Sequence, residues 1–185
     1  MGENSWNGYE NNCLFANVGD GRFMDIARPT GSDSLKDSRG VAIADLNGDG
    51  RLDLVINNNN NTPTIYMNNF TEIGNWMQLK LVGRDSNRDA IGARVRLSAG
   101  GKMMTRQVKA GSGYASEAML PVHFGLGHAT EVDSVEIHWP SGLVQRVEGE
   151  LIGVNQQVVI EEGAPQTTEA PSVQSSSPAI AAGER

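Results

Sequence analysis

The chain has 185 residues, 38% hydrophobic and 20% charged, with a formal net charge of −7 at pH 7. That is apolar material for one or two small globular units. The acidic balance argues against general nucleic-acid binding, which needs a positive surface, and no run of about eighteen apolar residues offers a membrane-spanning helix.

Charge is uneven along the chain. Up to Asn75 ten acids face five bases, whereas from Trp76 to Glu162 ten acids face nine. The start, Met1-Gly2-Glu3-Asn4-Ser5, lacks the basic and apolar parts of a signal peptide. Either a signal has been removed or the chain is part of a longer one.

Cys13 is the sole cysteine, so no internal disulfide is available. Beside Leu14 and Phe15 it reads as a buried structural thiol on a strand, the other reading being an intermolecular link. Leu14-Phe15-Ala16-Asn17 leads into Gly19-Asp20-Gly21 and Phe23, the pattern of a tight hairpin. The motif returns 51 positions later as Ile65-Tyr66-Met67-Asn68. A repeat of this size, with four short strands per unit, is the pattern of a propeller blade.

Between the two copies, Val41-Ala42-Ile43-Ala44 and Leu52-Asp53-Leu54-Val55-Ile56 read as short apolar strands. They flank Asp45-Leu46-Asn47-Gly48-Asp49-Gly50-Arg51-Leu52-Asp53, where oxygen-bearing side chains alternate around glycines. Ca²⁺ takes six to eight oxygens at about 2.3–2.6 Å. Asp45, Asn47, Asp49 and Asp53 would supply side-chain oxygens and Arg51 its backbone carbonyl. Three converging carboxylates repel one another unless a cation sits between them. An EF-hand would place a bidentate Glu at its twelfth position; here that position is Ile56, and both flanks are strands. The loop therefore reads as a metal-binding hairpin in which Ca²⁺ acts as a staple. The plain alternative is a polar turn with solvated carboxylates. Asn57 to Asn61 reads as a solvated loop. Asn60 and Asn69 head N-x-S/T triplets, which matter only in a glycosylating secretory pathway.

From Asn75 the texture changes. Trp76 to Val82 alternates, as does Ala93 to Ser98; Gly100-Gly101 is a two-residue turn, and Lys102 to Ala110 runs back. Further strands are expected at Val122 to Leu126, Ser134 to Trp139, Val144 to Val147 and Gln157 to Ile160, with a turn at Pro140-Ser141-Gly142. Short strands at regular intervals predict an antiparallel β-sandwich or small barrel. No segment has sustained helical periodicity, so the fold class is all-β. The last residues, 163–185, are rich in Pro, Ser, Thr, Gln and Ala; they read as a low-complexity tail or linker unable to bury enough surface to order itself.

Other candidate sites weigh toward structure. Asn87-Arg88-Asp89 could clamp an anion through the planar guanidinium; the structural reading has Arg88 pairing with Asp85 or Asp89, or capping a turn. Gly111-Ser112-Gly113-Tyr114-Ala115-Ser116 lacks the Lys and following helix of a phosphate loop, and reads as a plain loop with Tyr114 packed inward. His123, His128 and His138 have no metal-binding spacing and read as packed or surface histidines. Ser112, Ser116 and Ser141 have no nucleophile-elbow setting.

The residues from Leu14 to Phe23, followed by Asp45 to Asp53, resemble the FG-GAP/VCBS repeat family. The resemblance implies propeller blades whose acidic loop holds Ca²⁺, with Asp45, Asn47, Asp49, Arg51 and Asp53 as ligands. Asn47 stands where aspartate is commoner, which keeps an oxygen and removes a charge. The stretch from Asn75 to about Glu161 resembles the ASPIC/UnbV domain of cartilage acidic proteins and their bacterial relatives. Gly74-Asn75-Trp76, residues 86–95, Gly111 to Tyr114, His123-Phe124-Gly125-Leu126-Gly127 and Trp139-Pro140-Ser141-Gly142 carry that likeness. These resemblances imply a partial propeller, about one blade plus the start of the next, over residues 1–74. The ASPIC/UnbV domain follows over 75–162. They further imply a secreted or cell-envelope location and no established catalytic residues.

Relatives carry several blades, so this chain is expected to be the C-terminal part of a longer protein or to pack against blades of another chain. The leading expectation is a calcium-stabilised, non-catalytic binding or adhesion module with a protein or carbohydrate partner. The alternative is a structural subunit completing a larger assembly. An enzyme is the third reading, since related domains occur in natural-product biosynthesis clusters, yet no acid–base pair or activated nucleophile is evident.

Overall fold

The computed structural model describes residues 10–72, 74–114, 116–117 and 121–164. The described residues are β-rich, with helix among them confined to one four-residue turn, α1 (Ala27–Thr30), and a single 3-10 turn at Gly149–Leu151. Among the described residues no helix is long and apolar enough to cross a membrane.

Strands β1 (Phe15–Gly19) and β2 (Arg22–Asp25) form the expected hairpin. Asp20 and Gly21 both adopt positive φ, 51° and 70°, the pair of left-handed residues that matches a two-residue turn to strand twist. A second, antiparallel sheet has the order β3 (Ser38–Ala44), β4 (Asp53–Asn58), β5 (Thr64–Tyr66). The four-stranded unit expected from the repeat is thus a three-stranded sheet beside a separate hairpin. The two copies of the repeated motif meet nonetheless: Leu14, Phe15 and Ala16 line one groove of about 690 Å³ with Ile65, Tyr66 and Met67.

The second unit is a sandwich. One sheet has the order β11 (Val144–Glu148), β10 (Ser134–His138), β7 (Arg94–Ala99), β8 (Lys102–Gln107). The other has the order β12 (Gln156–Glu161), β6 (Asn75–Val82), β9 (Val122–Gly127). Period-two alternation drives the packing. On β7, Val95, Leu97 and Ala99 point into the core while Arg94 and Arg96 stay exposed. From the opposite sheet Met77, Leu79, Phe124 and Ile160, each fully buried, meet Val95, Leu97, Val135 and Ile137 in one cluster. Each such side chain contributes roughly 1.5–3 kcal/mol on burial. The two sheets remain separate, so of the two forms expected the sandwich is the one adopted. One pairing departs from the antiparallel expectation: β12 runs parallel to β6, from Gln156↔Met77 to Glu161↔Val82. After β11 the chain turns through Gly149–Leu151 and crosses to the other sheet, where it arrives in the direction of β6.

Burial divides the units sharply. The core cluster begins at Met77 and ends at Ile160, whereas the first unit buries only Ala27 and Ile56 among its described hydrophobic side chains. Three expectations about burial are corrected. Cys13 is exposed rather than a buried thiol, because no described layer covers the β1–β2 hairpin. Tyr114 is 76% exposed, not packed inward. Asn58, placed in a solvated loop from sequence, is a buried residue of β4. Its amide donates to the Thr62 carbonyl at 2.8 Å and to Thr64 Oγ1 at 3.0 Å, and accepts from Ser38 Oγ at 2.9 Å. Residues 165–185, the bulk of the expected tail, lie outside the described residues.

The candidate metal loop and its seat on the second domain

The acidic loop joins β3 to β4, closed by the register pair Ala44↔Asp53. It is a strand–loop–strand hairpin, as the spacing predicts. Gly48 and Gly50 take φ of 75° and 84°, bending the chain so that three backbone N–H groups fold back onto Asp45. Gly48 N–H and Asp49 N–H donate to Asp45 Oδ1 at 2.8 and 3.1 Å, and Gly50 N–H donates to Oδ2 at 2.8 Å.

Asp49 and Asp53 are held differently. Asp49 Oδ1 accepts the Arg51 N–H at 2.9 Å, while Oδ2 accepts Asn47 Nδ2 at 2.7 Å and forms an ion pair with Arg51 Nη2. The Arg51 N–H, with its burial partly opposed, holds the Asp49 carboxyl below the usual carboxylate range. Arg51 Nη1 reaches the Phe70 carbonyl at 3.0 Å. Its Nε is buried with no partner. Asp53 is 1% exposed; Oδ2 accepts Leu46 N–H at 2.9 Å and Oδ1 accepts Asn68 N–H at 2.8 Å. Among the described residues neither Asp45 nor Asp53 forms an ion pair.

In kind, this donor set suits a hard divalent cation: three carboxylates, one amide oxygen and one main-chain carbonyl. Asp53 is buried and compensated by two backbone N–H groups, with no ion pair among the described residues. In position, no three Asp, Glu, His or Cys side chains among the described residues stand together closely enough to hold a metal. Asp49 instead faces the Arg51 guanidinium, so closing the donors around an ion requires Asp49 to rotate away from it.

Sequence reasoning missed what lies beneath the loop. Gln78 Nε2 donates to Asp45 Oδ2 at 3.2 Å, and His123 Nε2 lies 2.9 Å from the Gly50 carbonyl. Trp76 lies parallel to His123, the planes 8° apart and centroids 6.0 Å apart. These partners are separated from the loop by 33 and 73 positions, and no local pattern could have announced them.

The remaining candidates are structural. Asn87 Oδ1 accepts the Ile91 N–H at 2.8 Å and its Nδ2 donates to the Ile91 carbonyl at 2.9 Å. Arg88 contributes its carbonyl, which accepts the Gly83 N–H at 3.0 Å. The expected pairing of Arg88 with Asp85 or Asp89 is not formed; the main chain holds the turn. His138 Nε2 lies 2.7 Å from Glu136 Oε1, and Arg146 also grips that carboxylate. Ser141 acts as a donor: its Oγ lies 2.5 Å from Glu162 Oε1. Glu162, 3% exposed, also accepts Arg84 N–H, Ser86 N–H and Ser86 Oγ. Burial pushes this carboxyl up, yet those hydrogen bonds outweigh it and hold its pKa at about 2.

An open blade-like sheet, an acidic hairpin loop and a following sandwich define a β-rich, repeat-bearing class of protein. The chain matches two family models, an FG-GAP-like repeat over residues 5–56 and ASPIC and UnbV over residues 83–167. It is homologous to cartilage acidic protein 1: 47% identical over 57 residues to the Xenopus tropicalis protein and 46% over 57 residues to that of Homo sapiens. Each of those matches covers 30% of this chain and 9% of the relative. The Mus musculus protein is 34% identical over 110 residues, 56% of this chain and 16% of its own length. The matched stretches therefore span less than a fifth of the relatives.

Proposed function

We propose that this chain is a calcium-stabilised, non-catalytic binding module of an extracellular or cell-envelope protein. The observation that carries the reading is Asp53, a buried carboxylate without an ion pair in a loop whose backbone folds around Asp45. Asp45, Asn47, Asp49, Asp53 and the Arg51 carbonyl would hold Ca²⁺, which supplies the missing positive charge. The partner would be a protein or a carbohydrate. The match to an FG-GAP-like repeat and the similarity to cartilage acidic protein 1 support the extracellular assignment.

Extracellular Ca²⁺ modules bind at ~0.1–1 mM. At ten times Kd, binding adds about 1.4 kcal/mol, a rise of several degrees in melting temperature for a domain of this size. Calorimetric titration and melts with and without chelator test this. Asp49→Ala abolishes the calcium-dependent shift; a wild-type melt indifferent to millimolar Ca²⁺ and to chelator overturns the reading.

A second reading is favoured by the groove of Leu14, Phe15, Ile65, Tyr66 and Phe70. Here the chain is a structural subunit whose blade face is covered by further blades from the same or another chain. Stoichiometric co-purification of a blade-bearing partner supports it, and a cooperatively melting, strictly monomeric chain removes it.

A further inference from the structure

The two copies of the repeated motif are engaged on opposite edges. Asn17 Oδ1 accepts the Gly19 N–H at 2.9 Å, and 51 positions on, Asn68 Oδ1 accepts the Phe70 N–H at 3.2 Å. The copies share this local turn, so Cys13 corresponds to Thr64, Leu14 to Ile65, Phe15 to Tyr66 and Asn17 to Asn68. The second copy, as β5, pairs antiparallel with β4 through Leu54↔Tyr66, Val55↔Ile65 and Ile56↔Thr64. Beyond this ladder the Asn68 N–H donates to Asp53 Oδ1, where β4 begins, at 2.8 Å. The first copy, as β1, pairs among the described residues with β2 alone.

Hydrogen bonds identify the edge of β1 that β2 leaves open. The Leu14 carbonyl accepts the Ile26 N–H at 2.7 Å, and the Leu14 N–H donates to Asp25 Oδ1 at 3.2 Å. Successive residues of a strand direct these groups to alternate edges, so the N–H groups of Cys13, Phe15 and Asn17 face away from β2. Their counterparts Thr64, Tyr66 and Asn68 face β4 by the same alternation. Burial agrees: Cys13, Phe15 and Asn17 are exposed, whereas Thr64, Tyr66 and Asn68 are half-buried, covered in part by cross-strand neighbours on β4. The start of this chain does not supply the missing strand. Residues 2–7, which lie 51 positions before β4, carry Glu3, Asn4 and Ser5 in place of Leu54, Val55 and Ile56, and so lack its apolar character.

We infer that the open edge of β1 takes an antiparallel strand from a further FG-GAP-like repeat that precedes it, in the register by which β4 holds β5. The counterpart of Leu54 packs opposite Phe15, those of Val55 and Ile56 lie opposite Leu14 and Cys13, and the aspartate closing that repeat's acidic loop accepts the Asn17 N–H. The inference rests on the second reading above, in which further blades cover this unit, and adds which strand pairs with which edge. An unpaired strand edge of this kind is a template for added strands.

Amide hydrogen exchange read by NMR tests it, at low protein concentration, on the full 185-residue chain and on a graft. In the graft a second copy of residues 38–62 replaces residues 1–11, so that Asn12 follows Thr62 as Pro63 does in the chain itself. Exchange at Cys13, Phe15 and Asn17 is expected to slow by about tenfold or more in the graft, with Leu14 and Ala16 changing little. Asp53→Ala in the grafted copy alone restores fast exchange at Asn17. A protected grafted hairpin with unchanged rates at Cys13, Phe15 and Asn17 overturns the inference and leaves the covered-face reading to its own co-purification test. A grafted hairpin that stays unprotected overturns it too, because the edge then fails to template the strand. Protection in the ungrafted chain that rises with concentration gives the edge to a second copy instead. Slow exchange at all three amides in a strictly monomeric ungrafted chain removes this inference and the reading it rests on together.

Discussion

Gly50 and Gly48 have the same backbone handedness and different surroundings, which makes them a matched pair. Both hold positive φ, but a Cβ on Gly48 meets nothing within 4 Å whereas one on Gly50 strikes the Trp76 indole. Gly48→Ala is expected to cost about 1 kcal/mol for the left-handed backbone alone. Gly50→Ala adds an overlap that requires the Trp76 indole or the loop to shift, so its loss exceeds about 2 kcal/mol. Denaturant melts in chelator separate the two effects. Glu162 gives a pH-dependent counterpart. Its folded pKa of about 2 lies below its ordinary 4.5, so its contribution is complete above about 4.5 and is lost as pH falls toward 2. Glu162→Gln, which replaces an acceptor oxygen with a donor facing Ser86 and Ser141, is expected to destabilise by about 2 kcal/mol at neutral pH. The gap from wild type narrows through that acid window; melts at successive pH values check it, and a constant gap refutes the assignment.

At the scale of elements, stability is set by which strands have a covering layer. Ile160 on β12 is fully buried in the sandwich core, while Ile65 on β5 is 57% exposed. The same truncation should therefore have unequal effects. Ile160→Ala leaves a cavity and costs about 3 kcal/mol, whereas Ile65→Ala in the isolated chain stays within about 0.5 kcal/mol. Equilibrium unfolding of both variants measures the difference. The β3–β4 hairpin was legible because its information is local: β-branched runs on either side and an alternating oxygen pattern between them. The tight hairpin at Gly19-Asp20-Gly21 was legible for the same reason. The parallel β12–β6 pairing was not, because its partners lie 79 or so positions apart (Gln156 and Met77 begin it) and alternation along a strand carries no sign of direction. Arg88 shows the same limit on a smaller scale. Its charge suggested an ion pair, whereas its carbonyl does the structural work, and backbone roles leave no trace in side-chain identity.

For the molecule as a whole, the contrast between a closed sandwich and an open blade predicts behaviour in solution. Phe15 and Phe70 are 61% and 63% exposed and line the same groove. Apolar area of this kind drives association unless covered. The isolated chain is expected to bind a hydrophobic dye and to sediment faster as concentration rises. Phe15→Ser with Phe70→Ser should reduce both while shifting stability by less than about 0.5 kcal/mol. Sedimentation velocity over a range of concentrations checks this, and a wild-type chain monomeric throughout contradicts it.

By itself the sequence determined the all-β class, a change of texture near Asn75, the acidic hairpin and its possible oxygen donors. All of these follow from residue spacing within a few turns or strands. Tertiary structure alone decided that Cys13 and Tyr114 face outward, that Asn58 is buried, and that Glu162 is a locked anchor. It alone set Gln78, His123 and Trp76 beneath the loop. The physical reason is common to all of these: burial and hydrogen-bond partnership depend on which surfaces meet. Folding brings those surfaces together across tens of residues, with no local pattern at either end to mark the meeting.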